Sequence, residues 1–140
     1  MKILLAVDGS KFTKKMLAYL NTHSDVFGAS GEYTALTVQT PLPPRARAAV
    51  GPEIVNEYYA SEAAKVLAPI ERFLSRSGHP VKTTWKVGPA GETIAKFADA
   101  GQFDLVVMGS HGYGTLGNLV LGSVATQVLA RAKAPVLLVR

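Results

Sequence analysis

Three short runs constrain this chain more than anything else in it: KILLAV (residues 2–7), the stretch from Phe103 to Met108, and PVLLV (135–139). Each is too short for a buried helix and holds a block apolar at successive rather than alternate positions: Ile3 to Val7, Leu105 to Met108, and Val136 to Val139. A strand built from such a run shows apolar side chains on both faces of its sheet. It therefore needs cover on both sides, which the crossover helices of a parallel sheet supply. KILLAV stops at the turn residues Asp8, Gly9 and Ser10, after which Phe12, Met16, Leu17 and Leu20 recur at helical spacing, with Ser10 placed to cap the first turn.

The same alternation continues to the end of the chain. GEYTALTV (31–38) is rich in β-forming residues and is predicted as a second strand. QTPLPPRARAAVG (39–51) has three prolines and no periodicity, so it is predicted as a long loop. From about Pro52 to Ser77, Val55, Tyr59, Ala63, Val66, Ile70 and Phe73 trace one face of a long helix, and Pro69 is expected to kink or split it. VKTTWKV (81–87) alternates strictly, with Lys82, Thr84 and Lys86 on a wet face, and belongs at a sheet edge. Residues 91–100 carry Ile94, Phe97 and Ala98 for a short helix, and Val124, Val128, Leu129 and Ala132 define a last one. Five strands and four helices with right-handed crossovers make one doubly wound α/β domain, Rossmann-like, spanning residues 1–140 with a parallel sheet of order 3-2-1-4-5. The last strand is apolar on both faces yet lies at the edge in that order, so pairing with a second copy of the chain is expected there.

Composition narrows the classes of function. With no cysteine, disulfide, zinc-thiolate and thiol chemistry are excluded. The first apolar run is too short for a signal peptide and no stretch reaches the length of a membrane span, so a soluble, cytoplasmic protein without a membrane partner is expected. The net charge of +5 is scattered, its densest groups being Lys11, Lys14, Lys15 and Arg45, Arg47, without the interleaved aromatics that stack bases. A solvated surface, not a nucleic-acid interface, follows.

In a sheet of this order a ligand crevice opens between strands 1 and 4 at their carboxyl ends. Asp8 ends strand 1, and Gly109 opens GSHGYGTLGNLVLGS (109–123), with five glycines in fifteen positions. The GxGxxG from Gly112 to Gly117 does not meet the requirements of a dinucleotide fingerprint. No Asp or Glu follows Asp104, and Asn118-Leu119-Val120-Leu121 separates Gly117 from the helix. A phosphate loop of the Gly-Lys-Ser/Thr type is absent as well. What remains is G-x2-G-x9-G-S: Gly109, Gly112, then Gly122-Ser123 at the start of the last helix, where unpaired N–H groups and the helix dipole suit phosphate.

That spacing after VVMGSHG, with VDGS at the first turn and a closing APVLLVR, resembles the ATP-binding branch of the universal stress protein family across essentially the whole chain. The resemblance implies a nucleotide-binding homodimer joined through the C-terminal strand, acting with protein partners in a stress response, with ATP and Mg2+ or Mn2+ bound through the phosphates. By position, Gly109, Gly112, Gly122 and Ser123 would hold phosphates and ribose, and Val124 would add a backbone N–H. Asp8 would lie at the sugar or a phosphate-bound metal, and Val38 would read adenine through its backbone. Met108 and His111, on either side of Gly109, complete the set. Tyr113 and Asn118 stand where family members often carry basic residues, and Gly114 and Gly117 are additional. Phosphate charge is thereby left to backbone N–H groups, a metal, or cations from elsewhere. The alternatives are a slow ATPase or a nucleotidyl- or phosphoryl-transfer enzyme on the same fold, and a dimeric module that no longer binds nucleotide. No nucleophile or general base stands out for the enzyme reading: Asp8 is the one acid placed at the crevice, and His111 has no sequence neighbour to orient it.

Overall fold

In the computed structural model, which describes residues 1–27, 30–113 and 120–140, the elements run β1 (Lys2–Ala6), α1 (Lys11–Thr22), α2 (Ser24–Phe27), β2 (Glu32–Gln39), α3 (Pro44–Val50), α4 (Pro52–Arg76), β3 (Val81–Val87), α5 (Ala90–Ala100), β4 (Leu105–Gly109), α6 (Ser123–Arg131) and β5 (Val136–Val139). The five strands form one parallel sheet in the order β3-β2-β1-β4-β5, as the pattern of apolar runs predicts.

Strand β1 shows why both faces need cover. Ile3, Leu5 and Val7 enter a core with Met16, Leu17 and Leu20 of α1 and Ala63, Leu67, Ile70 and Leu74 of α4. Leu4 and Ala6 enter a second core with Ile94 and Ala98 of α5 and Ala125 and Val128 of α6. Ile3, Leu4 and Leu5 are completely buried, each worth about 1.5–3 kcal/mol. With α1 and α4 on one face and α5 and α6 on the other, the connections leaving β1 and β4 diverge, and the sheet opens between their carboxyl ends.

Four local expectations are corrected. Residues 44–50, expected as loop, form α3, and α2 is a further short helix, so the described residues hold six helices rather than four. Pro44 occupies the first turn of α3, where a missing N–H costs nothing, and Arg and Ala are good helix formers. No residue of α3 is buried, which is why no apolar period announces it. Helix α4 is not split at Pro69 and runs for all 25 residues: Pro69 lies on the exposed face, where water can satisfy the carbonyl that loses its partner. Past the middle of α4 the buried stripe passes through Leu67, Ile70 and Leu74 instead of Val66 and Phe73. In α6 the buried positions are Ala125 and Val128, and Leu129 is exposed.

Charge sits outside both cores. On α5 the Lys96 ammonium, hydrogen-bonded at 2.9 Å, holds the Glu92 carboxyl below its ordinary range, with a smaller contribution from Arg131 of α6. Burial raises the Tyr33 phenol. Among the described residues no helix is long and apolar enough to cross a membrane.

Candidate functional site

The first wall of the site is the turn that leaves β1. Asp8 Oδ1 accepts hydrogen bonds from the Ser10 N–H and the Thr13 hydroxyl, both at 2.9 Å, while the Asp8 N–H donates to Thr13 Oγ1 at 3.1 Å. Gly9 takes a positive φ of 79° to close this turn. Ser10 is the residue before α1, as expected, but its side chain makes no capping bond, and its buried Oγ has no partner among the described residues. Asp8 holds the turn that Ser10 was expected to cap.

The second wall is the segment that leaves β4. A Cβ on Gly109 would lie 2.6 Å from Phe12 Cβ, so α1 passes directly against the last residue of the strand. Ser110, 1% exposed, ties three elements together. Its N–H donates to the Val139 carbonyl, and its own carbonyl accepts from the Gly122 N–H, both at 2.8 Å. Its hydroxyl is 2.8 Å from His111 Nδ1, so His111, expected to have no sequence neighbour to orient it, is held by the residue before it, and its ring packs against Phe12 at 5.0 Å. A Cβ on Gly112 would come within 2.6 Å of Asp8 Oδ2, and one on Gly122 within 3.1 Å of His111 Cα. The backbone closes on itself here because side chains are missing.

The third wall is the start of α6. Gly122 precedes it with no side-chain cap among the described residues, and its carbonyl accepts from the Thr126 N–H and hydroxyl. The helix thus brings its amino end, the positive pole of its dipole, into the cleft.

These walls enclose about 340 Å³, within the range of small-molecule sites. The structure brings Asp8, Val38, Met108, Gly109, His111, Gly112, Gly122, Ser123 and Val124 together on this one cleft. Ala6, Val7 and Ile94 join Val38 and Met108 to form its apolar lining. Asp8 is the one carboxylate on the described lining. Among the described residues no group of three or more His, Asp or Glu is arranged to hold a metal ion. Gly114, Gly117 and Asn118 lie outside the described residues.

Sequence reasoning passed over Thr13 and Ser110. Thr13 lies one helical turn beyond the Asp-Gly-Ser turn, and that spacing was its available signal; Ser110 is a small polar residue in the glycine motif, indistinguishable by sequence from a surface serine. Tyr113 also lines the cleft, its hydroxyl 3.4 Å from where a Gly9 Cβ would stand. A separate open groove of about 670 Å³ runs between the start of α4 and the segment before α3, lined by Pro41, Arg47, Val55 and Tyr59 among others.

Residues 1–140 match the model of the universal stress protein family. A universal stress protein of Thermus aquaticus is 33% identical over 144 residues, covering 99% of this chain and 97% of that protein. The chain spans only 42% of the length of another relative, from Synechocystis, which is 29% identical over 142 residues. Among solved structures, that of MJ0577 superposes with a TM-score of 0.79 at 30% identity, covering 99% of this chain and 94% of that one. The same fold recurs in a universal stress protein of Archaeoglobus fulgidus in complex with dAMP, with a TM-score of 0.67 at 22% identity and coverage of 100% and 98%. An Arabidopsis thaliana family protein with AMP bound superposes with a TM-score of 0.70 at 16% identity and coverage of 99% and 90%. With its sheet order, glycine spacing and cleft at the β1–β4 divide, the chain belongs to the universal stress protein family.

Proposed function

We propose that the cleft binds an adenine nucleotide, ATP with a divalent cation on its phosphates, and that the protein is a nucleotide-dependent regulator and not a catalyst. The observation that carries this reading is the convergence of Gly109, Gly112 and Gly122 on the amino end of α6, where a Cβ would collide with Phe12 at the first, with Asp8 at the second, and sit tightly against His111 at the third. Backbone this bare lets N–H groups approach an anion closely, and the helix dipole favours it. Ser123 and Val124 would offer N–H groups and a hydroxyl to phosphate. Ala6, Val38, Ile94 and Met108 would supply the apolar walls for a base. The complexes of family members with AMP and dAMP support the ligand class.

A divalent ion fits this cleft only as a passenger on the phosphates. Mg2+ usually takes one or two carboxylates together with phosphate and water oxygens, and the described lining offers Asp8 alone. Asp8 Oδ2, facing Gly112, is the oxygen that would meet such an ion or the ribose, since Oδ1 is engaged by Thr13 and Ser10. The four residues of β5 are each half-buried at the open edge of the sheet, which supports a homodimer through this strand, read out by sedimentation velocity.

Titration calorimetry with ATP and Mg2+ tests the nucleotide reading. The protein is expected to bind, and Gly122→Asp, which puts a carboxylate at the start of α6, is expected to lower affinity at least about 100-fold while circular dichroism stays unchanged. No binding by the unmodified chain, or equal binding by a folded Gly122→Asp variant, would overturn the assignment.

A further inference from the structure

Among the described residues, the cleft presents one charged side chain to its ligand, the carboxylate of Asp8. A triphosphate bound there carries more negative charge than one divalent ion and the partial charge of a helix end offset. Two cations reach toward it through α1. Lys11 and Lys15, one turn apart, place their ammonium groups 5.4 Å and 5.1 Å from the centre of the Phe12 ring. That ring lies 5.0 Å from His111, and Phe12 Cβ abuts Gly109, both lining residues of the cleft. Ring and lysines thus form a continuous layer from the cleft wall to the surface.

The arrangement is electrostatically unfavourable as it stands. Like charges at i and i+4 repel, and cations in the first turn oppose the helix dipole. No acidic residue occupies the first turn of α1. The ion pairs among the described residues, Lys65–Glu62 and Lys96–Glu92, lie elsewhere and leave Lys11 and Lys15 with the aromatic ring as their contact. An anion beside Phe12 would relieve both penalties at once.

We propose that Lys11 and Lys15, carried on Phe12, meet the distal phosphates of a nucleotide in the cleft and so make the protein prefer nucleoside triphosphates to monophosphates. This inference rests on the nucleotide reading above. A monophosphate, held at the start of α6, would not extend to the two ammonium groups; the added phosphates of a triphosphate would. The lysine stems are flexible and their heads solvated, so the contribution is Coulombic and salt-sensitive, not a rigid clamp.

The test compares ATP with AMP by calorimetry on the full chain. In the Lys11→Ala/Lys15→Ala variant, ATP affinity is expected to fall about 10-fold while AMP affinity changes less than about twofold, and the dependence of ATP binding on KCl should flatten. Lys14→Ala, on the same helix but not among the ammonium groups over the Phe12 ring, serves as the control for net charge and should alter neither ligand. Lys11→Arg/Lys15→Arg should keep the preference. An unchanged ATP-to-AMP ratio in the double alanine variant, an equal loss for both ligands, or an equal effect of Lys14→Ala would each overturn the inference and leave nucleotide binding standing. Failure of the unmodified chain to bind either nucleotide would overturn both.

Discussion

The β1–α1 and β4–α6 connections end at the same cleft, yet they are held in different ways. The first is short and fixed by side chains: Asp8, Thr13 and the Ser10 N–H close a small hydrogen-bonded ring around the turn. The second is long, and the part of it that lines the cleft is fixed by the absence of side chains at Gly109, Gly112 and Gly122. Ser110 is the exception, buried and bonded through its backbone to β5 and to the residue that precedes α6. A turn locked by side chains suits a wall that must stay in place. A segment of bare backbone suits a wall that must touch a ligand with its N–H groups. The two meet at one point, where Asp8 Oδ2 faces the Cα of Gly112.

Substitution can break this contrast. The largest effect is expected at Gly109→Ala, whose Cβ would meet Phe12 Cβ at 2.6 Å and the Phe12 backbone at 3.2 Å. Overpacking against a helix should cost about 1–3 kcal/mol, read by urea denaturation; native stability would show that the β4–α6 wall tolerates side chains after all. Next is Thr13→Val, which keeps the shape of a buried residue but removes the hydroxyl that both accepts from and donates to Asp8. A loss of about 1–2 kcal/mol is expected, and a neutral result would show that the first wall does not depend on its hydrogen-bonded ring. The smallest effect sharpens the point of contact. Gly112→Ala alone should destabilise by crowding Asp8, and the cost should shrink by about 0.5–1 kcal/mol in an Asp8→Ala background. Additive costs in that double-mutant cycle would mean that the two walls do not touch.

Much of this was legible in the residues themselves. The three two-sided apolar runs required a covered parallel sheet, and the wet alternation of VKTTWKV placed β3 at its edge. The glycine spacing pointed to the cleft because glycine is selected for what its neighbours leave no room for, and a chain shows that selection in one dimension. Helix α3 was hidden for the opposite reason: it buries nothing, so no periodicity marks it, and its prolines suggest a loop. Pro69 does not split α4 because a proline in a helix matters according to which way its face points, and that is set by packing.

Thr13, Ser110 and the lysines of α1 show where reading residues in order stops. Each acquires its role from a partner brought close by the crossovers: Ser110 from β5 and the start of α6, and Lys11 and Lys15 through Phe12 from His111. The chain by itself determined the sheet, its order and the residues that meet at its divide, because side-chain period and burial are local properties of a strand or helix. Only the tertiary structure decided which side chain holds which wall and where positive charge approaches the cleft, because hydrogen bonds and Coulomb forces act over a few ångströms between residues distant in sequence.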